Sequence, residues 1–177
     1  RSLFVRYTLR EAAVPITLRV LPFLAFRNVH MLTYENHEAS RKVELVKNGA
    51  SWQLYKDYSR LYLQFSHAAE YTHVPHWYYN MFYIREQERG YDAAEDQFVP
   101  GFFELQMKQG DTVILSVSLE EQNPAAIKRQ CEAEVKRLLP QKSYEDCLLK
   151  AADQFIIRDD KGTRDRDRKS GSAGMPR

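Results

Sequence analysis

The sequence predicts a mainly β protein, an antiparallel β-sandwich followed by two linker α-helices. Three observations support this prediction. About eight short segments with alternating apolar residues occur at close spacing before residue 120, which is typical of antiparallel sandwiches. Aromatic residues make up 12% of the chain, with 11 Tyr and 9 Phe, which indicates an ordered core. After residue 123 the apolar spacing becomes helical.

The predicted strands follow from this alternation. Residues 16–26 should form a strand that Pro22 bends, bulges or keeps at a sheet edge, because proline lacks the backbone donor. In residues 112–119 the apolar side chains should face the core and the serines should face outwards. One face of the first strand, residues 2–9, carries Leu3, Val5, Tyr7 and Leu9. Shorter strands are predicted at 43–46, 52–55, 61–65 and 69–73.

The two helices are predicted from their start signals. Asn123-Pro124 is a typical first turn, with an N-cap residue followed by proline at the first helical position. Ser143, with Asp146 three residues later, resembles a capping box and predicts a second helix over residues 143–157. The apolar face of this second helix needs a packing partner.

Residues 77–103 combine an aromatic strand with a dense charge cluster. Trp77, Tyr79, Met81 and Tyr83 should point one way and Tyr78, Asn80, Phe82 and Ile84 the other, so we expect packing on both faces. Gly90 lies where a tight turn would need it, Pro100-Gly101 closes the segment, and a second strand should start at Phe102. The charge cluster consists of Arg85, Glu86, Glu88, Arg89, Asp92, Glu95 and Asp96.

Physical chemistry leaves two interpretations of this cluster open. It can be the loop of a β-hairpin, whose carboxylates pair with Arg85 and Arg89. Alternatively, the rings can stack on the apolar faces of a sugar while the carboxylates accept hydrogen bonds from its hydroxyl groups.

Three blocks of sequence resemble a known family in the same order, over roughly residues 3 to 158. They are LRVLPFLAFRNVHMLTYEN (18–36), WYYN-x-x-Y-x-x-E-x-ERGYD-x-x-ED-x-x-VPG-x-FE (77–104) and LLKAADQFIIR (148–158). Together they resemble the N-terminal domain of bacterial and archaeal glycogen debranching enzymes, the amylo-α-1,6-glucosidases. The resemblance implies a supersandwich-like β-domain and, beyond residue 158, a catalytic α-helical barrel.

The resemblance also implies that this domain has a non-catalytic role. A glycosidase generally needs two carboxylates flanking the scissile bond, and in the resembling family that pair belongs to the downstream (α/α) barrel. We therefore expect no catalytic residues here, no cofactor, and two partners: the barrel of the same polypeptide and glycogen or another branched α-glucan. The candidates for contacts with substrate or barrel are Trp77, Tyr78, Arg89, Asp92, Glu95 and Asp96.

Two other functions stay open at this point. A free-standing carbohydrate-binding module would use the same aromatic residues. A self-contained enzyme would draw an acid/base pair from the loop carboxylates, and spacing alone does not exclude this. The candidates for that pair are Glu86, Glu88, Glu95 and Asp96.

Composition argues against several other classes. The net charge of +2 does not favour nucleic acid or an anionic membrane as a partner. His67, His73 and His76 fall within ten positions, but His67 and His73 lie on separate predicted elements and no cysteine is near, so we expect no metal site. His30 is expected to be structural. Cys131 and Cys147 lack CxxC spacing, which favours reduced thiols and a cytoplasmic location over a disulfide.

These patterns divide the chain into three parts. We expect a β-sandwich domain over residues 1–120, a helical linker over 121–158 and a disordered tail over 159–177, where Arg and Asp alternate before a Gly/Ser-rich stretch. Because the chain begins inside a predicted strand and the family's next motif is missing from the tail, we expect it to be a fragment.

Overall fold

The structure, a computed structural model, describes residues 2–138, 143–153, 156–159 and 162–165. The chain groups into two compact units, Arg1–Ala133 and Glu134–Arg177, and each is described by itself. The division at 120/121 and 158/159 proposed from the sequence stays a prediction.

Residues 2–118 of the first unit form eight strands and one short helix. The helix is α1 (Ile84–Glu88). The strands are β1 (Ser2–Thr8), β2 (Ile16–Val20), β3 (Glu44–Val46), β4 (Gly49–Trp52), β5 (Leu61–Phe65), β6 (Glu70–Phe82), β7 (Ala94–Met107) and β8 (Thr112–Ser118). A five-stranded sheet has the order β1-β8-β5-β4-β3, and a three-stranded sheet has the order β2-β7-β6. All pairs are antiparallel, and the mainly β sandwich predicted from the sequence is confirmed.

The core lies between the two sheets, and Phe103 of β7 is at its centre. Its ring packs against Phe65 of β5 at 5.1 Å and against Trp52 of β4 at 6.1 Å between centroids, so aromatic contacts join the two sheets. Phe65 and Phe103 are both completely buried. Burying side chains of this size supplies a large share of the hydrophobic stabilisation of the fold.

The serines of β8 alternate with the core residues Val113 and Leu115 and so face away from the core, as predicted. They are not open to solvent, however, because Ser116 and Ser118 are both buried. Gln64 of β5 lies on the same side, accepts a hydrogen bond from the Gln122 backbone N–H at 2.6 Å and donates one to its carbonyl at 2.9 Å. These two bonds hold the chain that enters the next helix over this face.

The central hairpin is longer than predicted. β6 joins the separately predicted strand at 69–73 to the aromatic strand, and β7 begins at Ala94 rather than at Phe102. Pro100 and Gly101 therefore lie inside β7 and do not close the segment. The prediction failed because Pro100-Gly101 carries the local signal of a turn, whereas pairing with β6 keeps the stretch inside the strand, where Gly101 has a φ of 150°.

Two irregularities break the predicted alternation along β6, between His73 and His76 and between Tyr78 and Met81. Asn80 lies in the second irregularity with a φ of 55°, in the left-handed region. The outer side of the hairpin is also less covered than expected, since Tyr79 is 57% exposed and Phe82 is 53% exposed.

The charge cluster forms a short helix and turn where a loop was predicted. Arg85 pairs with Glu88 at 2.8 Å and Arg89 pairs with Glu86 at 3.2 Å, as the hairpin interpretation expected. Gly90 follows with a φ of 78°, so the predicted tight turn is confirmed. β2 ends at Val20, before the Pro22 that was predicted to interrupt it.

Two longer helices follow the strands. α2 (Pro124–Leu138) begins where predicted, and the side-chain oxygen of Asn123 accepts the Ala125 N–H at 3.1 Å. In the second unit, α3 (Tyr144–Asp153) is capped as predicted, because the Ser143 hydroxyl accepts the Asp146 N–H at 3.1 Å.

The chain after α3 differs from the prediction. The second helix ends at Asp153 and does not reach residue 157, and β9 (Ile156–Asp159) pairs with β10 (Gly162–Asp165) in an antiparallel hairpin. β10 lies in the segment for which disorder was predicted. The rest of that tail, residues 160–161 and 166–177, lies outside the described residues.

Candidate functional site

The most highly connected carboxylate of the cluster is Glu95 of β7, whose side chain is completely buried. Arg27 binds it with two hydrogen bonds, at 2.7 Å to Oε2 and 2.9 Å to Oε1. The Thr33 backbone N–H donates at 3.1 Å, the Tyr83 hydroxyl at 2.5 Å and the Gln97 amide at 3.0 Å. Five donors thus satisfy one carboxylate, as a buried charge requires.

This environment determines the ionisation of the group. Burial alone would raise the pKa of Glu95, but the hydrogen bonds from Arg27, Tyr83 and Gln97 outweigh it and lower the pKa to about 2. The hydrogen bond to Glu95 raises the pKa of Arg27. Burial, together with the hydrogen bond to Glu95, raises the pKa of the Tyr83 hydroxyl. Glu95 is therefore ionised and Tyr83 is neutral at physiological pH.

Asp96, the next residue, faces the opposite side of the strand and holds a different set of backbone groups. Its carboxylate accepts the Glu35 N–H and the Asn80 N–H, both at 3.0 Å. Its own N–H donates to the Thr33 carbonyl at 2.7 Å. Asp96 thus stabilises the left-handed Asn80 in the irregularity of β6, where a carboxylate partner compensates for the lost ladder bond.

Glu95 and Asp96 together fix a segment that has no regular secondary structure. We call residues 27–36 the anchored loop, because Arg27, Thr33 and Glu35 all bond to these two carboxylates. The loop is therefore held to β7 by a buried ion pair and by backbone hydrogen bonds.

A groove of about 910 Å³ lies between the anchored loop and the segment that contains α1. The loop contributes Arg27, Val29, His30, Met31, Leu32 and Tyr34. The hairpin contributes Tyr83, Glu86, Arg89, Tyr91 and Asp92. Apolar side chains on both walls are open to solvent: Val29 is 80% exposed, Met31 62%, Tyr34 59% and Tyr91 61%.

The structure separates the six residues singled out from the sequence. Arg89 and Asp92 line the groove, and the Arg89 guanidinium lies 5.3 Å from the centroid of the Tyr91 ring. Glu95 is buried behind the groove wall, where it binds the groove residues Arg27 and Tyr83.

The other three do not line the groove. Asp96 holds backbone groups, as described above. Trp77 is a core residue, 5% exposed, that packs edge-on against Phe98 at 5.4 Å. Tyr78 is half-buried between Phe23 and His76. The burial of Trp77 fits the packing expected on both faces of this strand; it was a contact candidate because it is aromatic, and aromatic side chains also fill cores.

Sequence reasoning missed the other half of the groove. The residues of this half lie in a stretch of sequence with no periodic pattern: Arg27, Val29, Met31 and Tyr34. No local sequence signal indicates that Arg27 pairs with Glu95. The only available signal was the block RNVHMLTYEN, which places Val and Met among polar residues outside a strand. His30, which was expected to be structural, is exposed and lines the groove.

The carboxylates do not suit acid/base chemistry. A general acid near neutral pH needs a raised pKa, whereas the pKa of Glu95 is lowered. Glu86 and Glu88 pair with arginines, and Asp96 accepts two backbone N–H groups. Within the described residues, no group of three or more His, Cys, Asp and Glu could hold a metal ion. Cys131 and Cys147 are not joined by a disulfide.

The sequence matches the protein family described as glycogen debranching enzyme N terminal over residues 1–114. This match covers 114 of the 177 residues. The chain belongs to this family. The resemblance noted in the sequence is thus confirmed, and the anchored loop and both walls of the groove lie within the matched part of this debranching-enzyme domain. No curated protein and no solved structure matches the chain.

Among the described residues, no helix has both the length and the apolar character that spanning a membrane requires.

Proposed function

We propose that this chain is the non-catalytic N-terminal β-domain of a cytoplasmic glycogen debranching glycosidase. It packs on the catalytic α-helical barrel of the same polypeptide and borders the cleft that receives a branched α-glucan. One observation carries the proposal: the acidic cluster that could have held chemistry instead anchors a loop with exposed apolar side chains.

The geometry supports a packing role because the carboxylates are committed to the fold. Glu95 accepts five hydrogen bonds and has a pKa of about 2. Removing this carboxylate would leave Arg27 as an unpaired charge, so the main effect would be on the stability of the fold and not on sugar binding. Exposed Val29 and Met31 on a fixed loop are typical of a surface that another part of a protein covers.

The proposal is tested by the activity of the isolated chain on a branched limit dextrin. We expect no glucose release from this chain alone, and release from the longer polypeptide that contains both this domain and a barrel. Release of glucose by the isolated chain would overturn the proposal. So would a natural polypeptide in which this domain occurs without a catalytic barrel.

A second function, a free-standing carbohydrate-binding module, is favoured by one feature of the groove. The exposed rings of Tyr34 and Tyr91 lie in the same groove as Arg89 and Asp92, and aromatic rings beside charged groups suit sugars. Retardation of the isolated chain in a native gel containing glycogen would support this function if Tyr91→Ala abolished it. Tyr144→Ala, at a tyrosine 77% exposed in the second unit, is the matched control.

A further inference from the structure

We propose that the groove between the anchored loop and the α1 segment is the surface by which this domain docks on the catalytic body of its own enzyme. Val29 and Met31 are the side chains that become buried there. This inference rests on the proposed function and goes further, since it assigns one face of the domain to the partner.

The first argument is that the exposed side chains are held in place. Val29 and Met31 are 80% and 62% exposed, yet they lie between the Arg27 ion pair and the Thr33 backbone contacts to Glu95 and Asp96. The loop is therefore ordered without a partner. A preordered surface loses little conformational entropy on binding, which is the arrangement expected of an interface.

The charges of the groove argue against a polyanion, such as a nucleic acid, as the partner. The groove holds two arginines, and each already has a carboxylate: Arg27 binds Glu95 and Arg89 binds Glu86. Asp92 adds one further negative charge. Phosphate groups need uncommitted cations, so the groove does not suit a nucleic acid or another polyanion.

The apolar side chains decide between a glucan and a protein. Sugars are recognised by aromatic rings and polar side chains, but Val29 and Met31 offer neither. Interface cores are instead enriched in Tyr, Met and Arg, with charged residues at the rim. Tyr34, Tyr91, Met31 and Arg89 meet in this groove, and Glu86 and Asp92 lie beside them. The groove therefore suits a protein surface with an apolar centre.

The partner is the catalytic body of the same polypeptide because the family match makes this domain the N-terminal part of a larger enzyme. A covalently linked partner is present at a high effective concentration, so a modest apolar patch is sufficient for stable docking. A second copy of this chain and a glucan are the alternatives that the test must separate.

The test is photo-cross-linking in the full-length enzyme. p-Benzoylphenylalanine is placed at position 31 and, as the matched control, at position 14. Val14 is 68% exposed and lies two residues before β2. The first residue of β2, Ile16, pairs with Met107 of β7, which is roughly 40 Å from Glu95 along that strand. After irradiation and digestion, mass spectrometry identifies the peptide joined to each position.

We expect position 31 to cross-link to peptides beyond residue 177 and position 14 not to do so. Cross-links from position 31 only within this domain, or to a second copy in a mixed-isotope sample, would overturn the surface assignment. If position 14 reached the catalytic body instead, the packing function would survive and only this surface would be wrong. The packing function itself would be wrong if neither position cross-linked to the catalytic body and limited proteolysis released this domain and the catalytic body as two separate molecules.

Substitutions provide a second measurement. The double variant Val29→Asp/Met31→Asp changes only exposed side chains, so its thermal unfolding as an isolated chain should match that of the parent. In the full-length enzyme it should speed proteolytic separation of the two parts by about tenfold or more, because two interface side chains become charged. Val14→Asp should leave that rate unchanged. An unchanged rate in the double variant would overturn the inference.

Discussion

Arg27 and Glu95 form a two-point ion pair across 68 residues of sequence, with N–O distances of 2.7 and 2.9 Å. The pair joins the anchored loop to the middle strand of the three-stranded sheet. Because the carboxylate is completely buried and the guanidinium is mostly covered, the pair is a structural tie and not a surface contact.

Glu95→Gln should lower the free energy of unfolding by about 3 kcal/mol. The substitution leaves Arg27 without its countercharge at a site where only 21% of that side chain is exposed, and breaking one partner of a buried pair is costly. Urea denaturation followed by circular dichroism measures the change.

Glu104→Gln is the matched control, because Glu104 pairs with Arg19 on the exposed face, where the two side chains are 30% and 57% accessible. It should change the free energy of unfolding by about 0.5 kcal/mol or less. Equal losses in the two variants would contradict the structural role of Glu95.

The stability of the domain should depend on Glu95 at acid pH. Its pKa falls from 4.5 to about 2 on folding, which contributes about 3 kcal/mol at about 1.4 kcal/mol per pH unit. Because the folded-state pKa is the lower one, this stabilisation is complete above about pH 5 and is lost as the pH falls from 4.5 towards 2. Unfolding free energies of the parent and of Glu95→Gln should therefore converge on acidification. A constant difference down to pH 2 would disprove the assignment of the low pKa.

Tyr83→Phe should cost about 1 to 2 kcal/mol, because it removes a charge-assisted hydrogen bond to Glu95 and leaves the Gln97 amide with one acceptor fewer. It should also raise the pKa of Glu95, since the hydroxyl stabilises the ionised form. Carboxyl titration by NMR measures this pKa directly. An unchanged pKa in the variant would show that the Tyr83 hydroxyl does not bind the carboxylate in solution.

Gly101→Ala should prevent stable folding or cost several kcal/mol. Gly101 has a φ of 150°, and a Cβ there would overlap the Thr72 carbonyl oxygen of the neighbouring strand. Gly90→Ala is the control: its φ of 78° also disfavours alanine, but open space surrounds it, so we expect a cost of only about 1 kcal/mol. Thermal unfolding compares the two. Similar melting temperatures would mean that the β6–β7 strands are not as close at Gly101 as described.

Much of the fold could be predicted from the sequence because strand alternation and helix caps are local signals. The strand β1 was recognised in this way to within one residue, as were the start of α2 at Asn123-Pro124 and the Ser143 cap of α3. The long β7 was not, because Pro100-Gly101 carries the local signal of a turn. Only pairing with β6 keeps that stretch extended.

The sequence by itself determined the mainly β class, the family and the turn at Gly90, because each depends on residues that are neighbours along the chain. The tertiary structure decided which side chains meet. In the folded chain Arg27 contacts Glu95, Trp77 lies in the core, and Val29 and Met31 remain on the surface. No local pattern contains that information, because a buried charge and its partner are matched through space and can be separated by any length of chain.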